Sequence, residues 1–586
     1  MRVLQILWTL VWGFLGYALF LPVLSFDYGG GIYLYVLFYF AIMGVIAYIE
    51  VMKEDEEDSP MEPFIYFGVA GVSLVAWLGI SIIGSWGLLH TEKYRNLIGN
   101  VDIEEFTSNV APISPEQMIT VDGGIAHRIG EKVLGEDPGL GSRCELGDFY
   151  MQVVGGHLYW IAPLLHSGFW KWQGSDGTPG YVVVNATDER DYRLVKEVHD
   201  KPIKIKYQPN AFWGENLERL LYTSGYSNQG LTDYTFEVND EWEPYWTVTR
   251  YDTKIGFGGK DAIGVVVVNP ETGKIQEYGI EDAPIWTDRI HPESFVRSQV
   301  FDWGDYVHGY FNWKGLDKIH PASESSVVIG SDGHMYYYLG LQSSGADEGT
   351  VGFMMVNCRT KKSTWIQQAG ATEVAARKSA EGAVQEKGYV GSDGITYNID
   401  GHATYEFLLK DNGGLMKMIA LVNVYDHNVV GVGIDRLSAI RNYSVKMNSR
   451  GNASIGTASE LEVIKLASKI SRFNSETSGG NTIYYLMVDG HDLQFYGTSS
   501  ISTEFCLSRP GDKVTLSFIH SGLKGDVEIR TFDNQNINLV INPIEEKIFE
   551  QQDSIQNRRE EKLKNDLLDR KWEDLTPTEK KALLKK

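Results

Sequence analysis

Asp302, Asp305 and His308 stand three residues apart, so on a helix two carboxylates and an imidazole would share one face. Such a trio could ligate a divalent metal or serve a hydrolytic step. The preferred reading is an ordinary exposed helix face, because a working site also needs outer groups that orient its ligands. A second candidate recurs along the chain. Gly156-His157-Leu158-Tyr159-Trp160 aligns with Gly333-His334-Met335-Tyr336-Tyr337 and with Gly401-His402-Ala403-Thr404-Tyr405, and Tyr245-Trp246 is a reduced copy. These histidines and aromatics could line a ligand cage; repeated packing positions on strands explain them more simply. Gly256-Phe257-Gly258-Gly259-Lys260 is glycine-rich with a lysine but lacks the spacing of a phosphate-binding loop. His127, His166, His199 and His320 are dispersed, and no nucleophile elbow, zinc-protease or dinucleotide signature stands in a suitable context. Cys144, Cys358 and Cys506 are far apart, form no CxxC pair and are expected to be buried small hydrophobes. The sequence therefore assigns no catalytic, cofactor-binding or metal residue, and no cofactor is expected.

The formal charge of −24 argues against nucleic acid as a partner, since phosphate binding needs clustered Lys and Arg. A chain of 586 residues exceeds one hydrophobic core and implies roughly three to five folding units.

Three apolar runs open the chain: Leu4 to Phe26, Gly31 to Tyr48 and Phe64 to Leu89. Each approaches the ~20 residues that cross a bilayer as a helix. A signal peptide is the alternative for the first; its long core, its single Arg2 and the second run close behind weigh against that. Pro22 sits near the end of its run, at the interface. None of the runs carries a charged residue or histidine at its centre, which suits an anchor better than an ion or proton pathway. Gly68, Gly71, Gly79 and Gly84 could allow close helix packing, but ordinary glycine enrichment of membrane helices is preferred. Arg2 and Lys53 inside, with the Asp27 loop outside, place everything after Leu89 outside the cytoplasm; Lys93 and Arg95 argue the other way.

After a polar connector with a short helix expected at Ile103 to Phe106, one order of elements recurs four times: helix, strand, turn, strand, loop and an apolar strand ending in Asn. The apolar strands are Gly180 to Asn185, Gly264 to Asn269, Gly352 to Asn357 and, more weakly, Ile419 to Asn423. The helices are expected at Ile125 to Leu134, after an Asn210 cap, from Pro292 to Val300, and from Thr372 to Lys387 with Thr372 as cap. Hairpin turns fall at Gly155-Gly156, Asn239-Asp240, Asp332-Gly333 and Asp400-Gly401.

A helix followed by a three-stranded meander, closing with Val268-Asn269-Pro270-Glu271-Thr272-Gly273-Lys274-Ile275, resembles a PepSY domain; Val356-Asn357-Cys358-Arg359-Thr360-Lys361 matches more loosely. The resemblance could cover Asp122 to about Val432. It implies non-catalytic, extracytoplasmic units of the kind found in membrane proteins and protease propeptides.

From Glu460 the pattern becomes that of five strands: Leu461 to Leu466, Ile483 to Val488, Leu493 to Tyr496, Asp512 to Phe518 and Asp526 to Arg530, with a flexible loop expected at Ser475 to Gly480. This order, with Pro510-Gly511-Asp512-Lys513-Val514, resembles an OB-fold barrel. Tyr484, Tyr485, Phe495 and Tyr496 could stack bases, but the strands carry little basic charge, so a structural or protein-facing barrel is preferred. Residues 545–586 carry both charge signs, and Thr576-Pro577-Thr578-Glu579 is a capping box for a helical tail.

The expected fold class is α+β: a transmembrane segment of three helices (1–90), a connector (91–121), four PepSY-like repeats (122–432), an OB-like five-stranded β-barrel (433–544) and a charged helical tail (545–586). The expected function is membrane-anchored, non-enzymatic binding or scaffolding, with the lipid bilayer and an unidentified protein as partners. The alternatives are an envelope hydrolase and an accessory subunit of a transport complex.

Overall fold

The computed structural model describes residues 2–28, 31–52, 61–106, 118–137, 139–322, 325–330, 332–344, 349–399, 401–449, 463–478, 481–499, 501–519 and 527–537. The tail expected at 545–586 lies outside them. The chain divides into two compact bodies, the second beginning at Glu462.

The first body starts with helices α1 (Arg2–Leu15), α2 (Gly31–Val51) and α3 (Met61–Gly79). All three are long and apolar enough to cross a membrane, α1 and α3 being prolonged by π-type turns to Phe20 and Gly84. The first helix stops short of the expected Phe26. Leu21 turns left-handed (φ 37°) ahead of Pro22, because the proline ring disfavours helical backbone in the residue before it. The third stops short of Leu89: the chain breaks at Ser85 and Trp86 and restarts as α4 (Gly87–Arg95). The helices interlock through aromatic residues. Trp12 stacks on Tyr35 at 4.8 Å, and the Tyr35 hydroxyl donates to the Trp12 carbonyl (2.9 Å). Ser73 donates to the Tyr33 carbonyl (2.6 Å). A side chain at Gly68, Gly71 or Gly79 would meet open space, so those glycines are not the packing surface.

The connector corrects one expectation. Val101–Glu105 is a strand, β1, not a helix. It pairs in parallel with Ser363–Ala371, whose edge supplies its backbone partners, and tertiary pairing overrides the local preference of Ile103 to Phe106.

Four sheets follow, each containing an antiparallel meander of four consecutive strands. In the first, helix α5 (Gly123–Glu136) precedes β2 (Tyr150–Val154), β3 (His157–His166), β4 (Tyr181–Asn185) and β5 (Tyr192–Val195). The second has α6 (Leu217–Leu221), β6 (Gly230–Val238), β7 (Pro244–Ile255), β8 (Gly258–Val268) and β9 (Ile275–Gly279). The third has α7 (Glu293–Asp305), β10 (Ser326–Ile329), β11 (Met335–Ser343), β12 (Gly349–Asn357) and β13 (Ser363–Ala371). The fourth has α8 (Glu373–Gly382), β14 (Ile395–Ile399), β15 (His402–Lys410), β16 (Met416–Asn423) and β17 (Val430–Gly433), after which α9 (Arg436–Ser449) packs on β17. The cap of α6 is Asn216, not Asn210. Asn216 accepts from the Arg219 amide (3.0 Å) and donates to the Pro209 carbonyl (2.8 Å), whereas Asn210 donates to Glu145 across the surface. Thr372 caps α8 as expected, accepting from the Ala375 amide (3.2 Å).

The same contacts close all four meanders. At the end of each apolar strand an asparagine folds back on the turn that follows. Asn269 Oδ1 accepts from the amides of Glu271 and Thr272 (3.1 and 2.9 Å), Asn357 from Arg359 and Thr360 (3.0 and 2.9 Å), Asn423 from Tyr425 and Asp426 (3.0 and 2.9 Å), and Asn185 from Thr187 (2.9 Å). The carbonyl of the next residue then receives the chain entering the helix. Ala186 accepts from Thr120 and Val121, Pro270 from Lys206 and Tyr207, Cys358 from Ile290 and His291, and Val424 from Ala371, at 2.7–3.1 Å. An aromatic from the second meander strand bonds the same entry segment: Trp160 to the Val121 carbonyl (2.7 Å), Trp246 to Tyr207 (2.8 Å), Tyr337 to His291 (2.9 Å) and Tyr405 to Ala371 (3.3 Å).

Glycine opens three of the apolar strands, five residues before the asparagine. A Cβ at Gly180, Gly264 or Gly352 would strike the carbonyl of Val195, Tyr278 or Ile366 on the return strand. The apolar strands are buried on both faces: Val266 and Val268 join a core shared with the first sheet and α6, while Val265 faces Ala283 and Ile290. Further cores join the first and fourth sheets and the third and fourth.

In the second body five strands pair in a circuit: β18 (Val463–Ser478), β19 (Asn481–Val488), β20 (Phe495–Thr498), β22 (Val527–Asn534) and β21 (Lys513–Ile519), which returns to β18. The β20–β22 seam is parallel and only two residue pairs long. Ser475 to Ser478 are strand, not loop, because β18 runs on to pair with the whole of β19. The interior holds Phe495, Phe505, Leu516 and Ile529.

Asn357→Ala, which strips two amides of their acceptor, should cost about 1–3 kcal/mol, whereas Asn357→Asp, which keeps the oxygen, should cost less. Thermal resistance of the detergent-solubilised chain to protease reads both.

Candidate functional site

The richest polar junction joins the soluble part of the first body to the ends of its apolar helices. The turn between β7 and β8 reaches them. Thr253 Oγ1 donates to the Asp27 carbonyl (2.7 Å), and the Phe257 amide donates to Ser85 Oγ (2.7 Å). Tyr251 meets Tyr28 edge-on at 5.8 Å, and Phe257 meets Tyr33 at 5.7 Å. From α6 and the turn after it, Arg219 donates to the Ala18 carbonyl and Tyr222 to the Pro22 carbonyl (2.9 Å); the Leu24 amide donates to the Ser227 carbonyl (2.6 Å). The end of α1, the start of α2 and the end of α3 are thus held by the second sheet together with α6 and the turn after it. Here the glycine-rich run finds its role. Gly256 has φ 55°, and a Cβ there would collide with the Gly84 backbone and the Ser85 hydroxyl. The run serves close approach rather than phosphate binding. Lys361 clamps the same region from the third sheet, donating to the Leu97 carbonyl (2.9 Å) and to Asp261 (2.6 Å). Burial and the Lys361 charge push the neighbouring His291 down to about 4, so it is neutral at physiological pH.

Among the described residues, burial lifts three carboxyls of the soluble part furthest. Glu237 accepts from Thr247 (2.9 Å), Thr235 (3.3 Å) and the Asp288 amide (3.2 Å), and burial lifts it to about 7. Asp288 accepts from the Val153 amide (2.6 Å); burial and the nearby Glu237 charge raise it well above the usual carboxylate range. Arg289 lies between the rings of Tyr150 and Tyr337, and its charge opposes both shifts. This cluster stitches the first two sheets together, helped by Gln152, whose amide donates to the Phe236 carbonyl (2.6 Å) and accepts from the Val238 amide (2.9 Å). The third carboxyl is Glu406 on β15. It is 3% exposed, both its oxygens are without a hydrogen-bond partner, and burial lifts it to about 8 against a partial offset from Arg436.

The residues singled out from the sequence do not converge. Asp305 ends α7 and is held by Lys318 and His320, both at 2.9 Å. His308 lies beyond the helix and pairs with Asp317 at 2.7 Å, because Tyr306 caps α7 before the expected spacing is complete. Asp302 is raised to about 6 by burial and by Asp305. Among the described residues no three His, Cys, Asp or Glu side chains are grouped to hold a metal ion. His157 and His334 are exposed, while Leu158, Tyr337 and Tyr405 are core, so the recurrent hairpins form no cage. Cys144 and Cys358 are buried; Cys506 is exposed and 3.0 Å from the Tyr484 hydroxyl, correcting the expectation for that residue. In the second body Phe495 and Tyr496 are buried and Tyr484 is stacked between Phe473 and Phe505. Glu237, Asp288 and Glu406 were not singled out from the sequence, although Glu406 interrupts the otherwise uncharged run Ala403 to Leu409.

No protein-family model matches this chain, and no curated protein matches it.

Glu406 makes a pH prediction. A free glutamate titrates near ~4.3 and this one near about 8, so the fold resists its ionisation. Its contribution to stability is intact below pH ~4.3 and falls by roughly 1.4 kcal/mol per pH unit until the folded value is passed. Glu406→Gln should therefore match the parent at low pH and exceed it by roughly 4 kcal/mol at neutral pH, as read by denaturation across pH 4–8.

Proposed function

We propose that this chain is a membrane-anchored, non-enzymatic binding or scaffolding protein. Its four meanders are tandem copies of one PepSY-like unit on the extracytoplasmic side, followed by an OB-like barrel. One observation carries the reading. The groups that recur from copy to copy, the terminal asparagine, the strand aromatic and the opening glycine, are all used to close the fold, with their hydrogen-bonding atoms turned onto backbone. A repeat conserved for catalysis would leave polar groups facing a shared cleft; a repeat built as a platform uses them internally and presents its variable surfaces outward. The grip of the second sheet on the ends of the apolar helices supports a platform held at a fixed attitude to the bilayer. The positive charges Arg2 and Lys53 in the sequence and the habit of PepSY-like domains support that side, against Lys93 and Arg95.

Protease added to intact cells should digest the soluble part and spare the helices; digestion only after the membrane is opened would overturn the extracytoplasmic assignment. Cross-linking of the full chain in native membranes, followed by denaturing purification, should return the same protein partner with reagents of different reach. Recovery of the chain alone with every reagent would overturn the scaffold reading.

A further inference from the structure

The segment between α7 and the next strand, residues 306–318, turns its apolar side chains outward. Trp313 is 85% exposed, Phe311 61% and Leu316 57%. The segment is nonetheless firmly shaped. Asn312 Nδ2 donates to the Leu316 carbonyl (2.7 Å) and Asn312 Oδ1 accepts from the Leu316 amide (3.0 Å), while His308 and Asp317 close its base at 2.7 Å. A loop folded this tightly could have buried its rings; this one holds Phe311 and Trp313 stacked on each other at 5.7 Å with both facing out.

Its position explains the exposure. Trp86, two residues beyond the end of the third apolar helix, meets Tyr310 edge-on at 6.4 Å; Tyr310 meets Phe311 at 5.5 Å, and Phe311 meets Trp313. A continuous ladder of rings thus leads from the end of the helix to the tip of the loop. Tyr306, at the base of the loop, lies against Gly87 at the start of α4. Trp and Tyr concentrate where hydrocarbon gives way to headgroups, because their rings prefer the apolar side and their polar atoms the wet side. The exposed Lys314 beside Trp313 suits the same depth, with its stem in the apolar zone and its ammonium among phosphates.

We infer that the loop Tyr306–Leu316 is a second membrane contact, which inserts Phe311, Trp313 and Leu316 into the headgroup–acyl boundary of the leaflet where the third helix ends. The inference rests on the reading of the three apolar helices as membrane spans. The loop would add a contact with the bilayer beyond the helix ends, and so reinforce the attitude that the grip on those ends sets.

The test uses the full chain, one copy per nanodisc of phosphatidylcholine and phosphatidylglycerol, with Cys506→Ser removing the exposed thiol. Nitroxide labels are placed singly on Trp313→Cys, on Lys314→Cys, which keeps both rings, on Val72→Cys in the third helix, and on Glu189→Cys at a polar surface loop. Power-saturation EPR compares access of oxygen with that of a water-soluble nickel chelate. The expected result is oxygen-favoured access at positions 72, 313 and 314 and chelate-favoured access at 189. Chelate-favoured access at both 313 and 314, with 72 in the bilayer, overturns the loop contact alone. Chelate-favoured access at 72 overturns the membrane reading and the loop contact with it. Protection at 313 and 314 from both relaxants means that protein rather than lipid covers the loop, and also overturns the inference.

Discussion

The carbonyl of the residue after each strand-ending asparagine is the point on which the soluble fold turns. It receives one or two amides from the chain about to enter a helix, and so fixes where that helix starts over its sheet. A carbonyl has two lone pairs, so it can accept both amides without leaving its own hairpin. The residue bearing it is Ala186, Pro270, Cys358 or Val424. No polar side chain is needed because the backbone does the work, and a small or branched apolar group fills the space beside it. The asparagine bends the turn, and the strand aromatic adds a bond to the same entry segment. Three kinds of modest hydrogen bond, each bond of about 1 kcal/mol net, meet around one short stretch of chain, so loss of any one strains the others.

That economy shapes what the protein can do. The polar groups repeated along the chain are committed to architecture, and the buried carboxyls lie at joints between sheets rather than in clefts. Glu237 and Asp288 sit where the first two sheets meet, near enough to Arg289 for its charge to offset part of the cost of their burial. Glu406 lacks even that compensation in hydrogen bonds and is kept neutral by its surroundings.

Much of the architecture was legible in the sequence because it is written in local patterns. Apolar runs, hairpin turns and the recurring strand-plus-asparagine survive translation into structure within a few residues. The errors share a physical origin. Ile103 to Phe106 became a strand because a distant edge offered it partners, Asn216 rather than Asn210 caps α6 because only Asn216 stands beside the first turn, and Ser475 to Ser478 stayed extended because β19 runs alongside. The Asp302, Asp305 and His308 trio dissolved because Tyr306 ends the helix in its midst. The Gly256 run was noticed for its composition, but its use, admitting the Gly84 backbone and the Ser85 hydroxyl, depends on a contact between residues far apart in sequence. Glu406 shows the same limit, since a glutamate in a strand does not reveal which face will be enclosed.

The apolar helices differ in length: 18, 21 and 24 residues for the first, second and third. At 1.5 Å per residue these are about 27, 32 and 36 Å, against a hydrocarbon core of about 30 Å. Their ends nearest the soluble part are gathered by α6, the turn after it and the β7–β8 hairpin, so the mismatch falls on the opposite leaflet. There the first helix barely arrives, and the third fits only by leaning, by roughly 30° if it stays straight. A thicker bilayer would straighten the third helix and a thinner one would lay it further over, while the first has little slack to follow. In a bilayer, thickness would thereby act as a twisting load on the second sheet, delivered through Ser85 and Asp27.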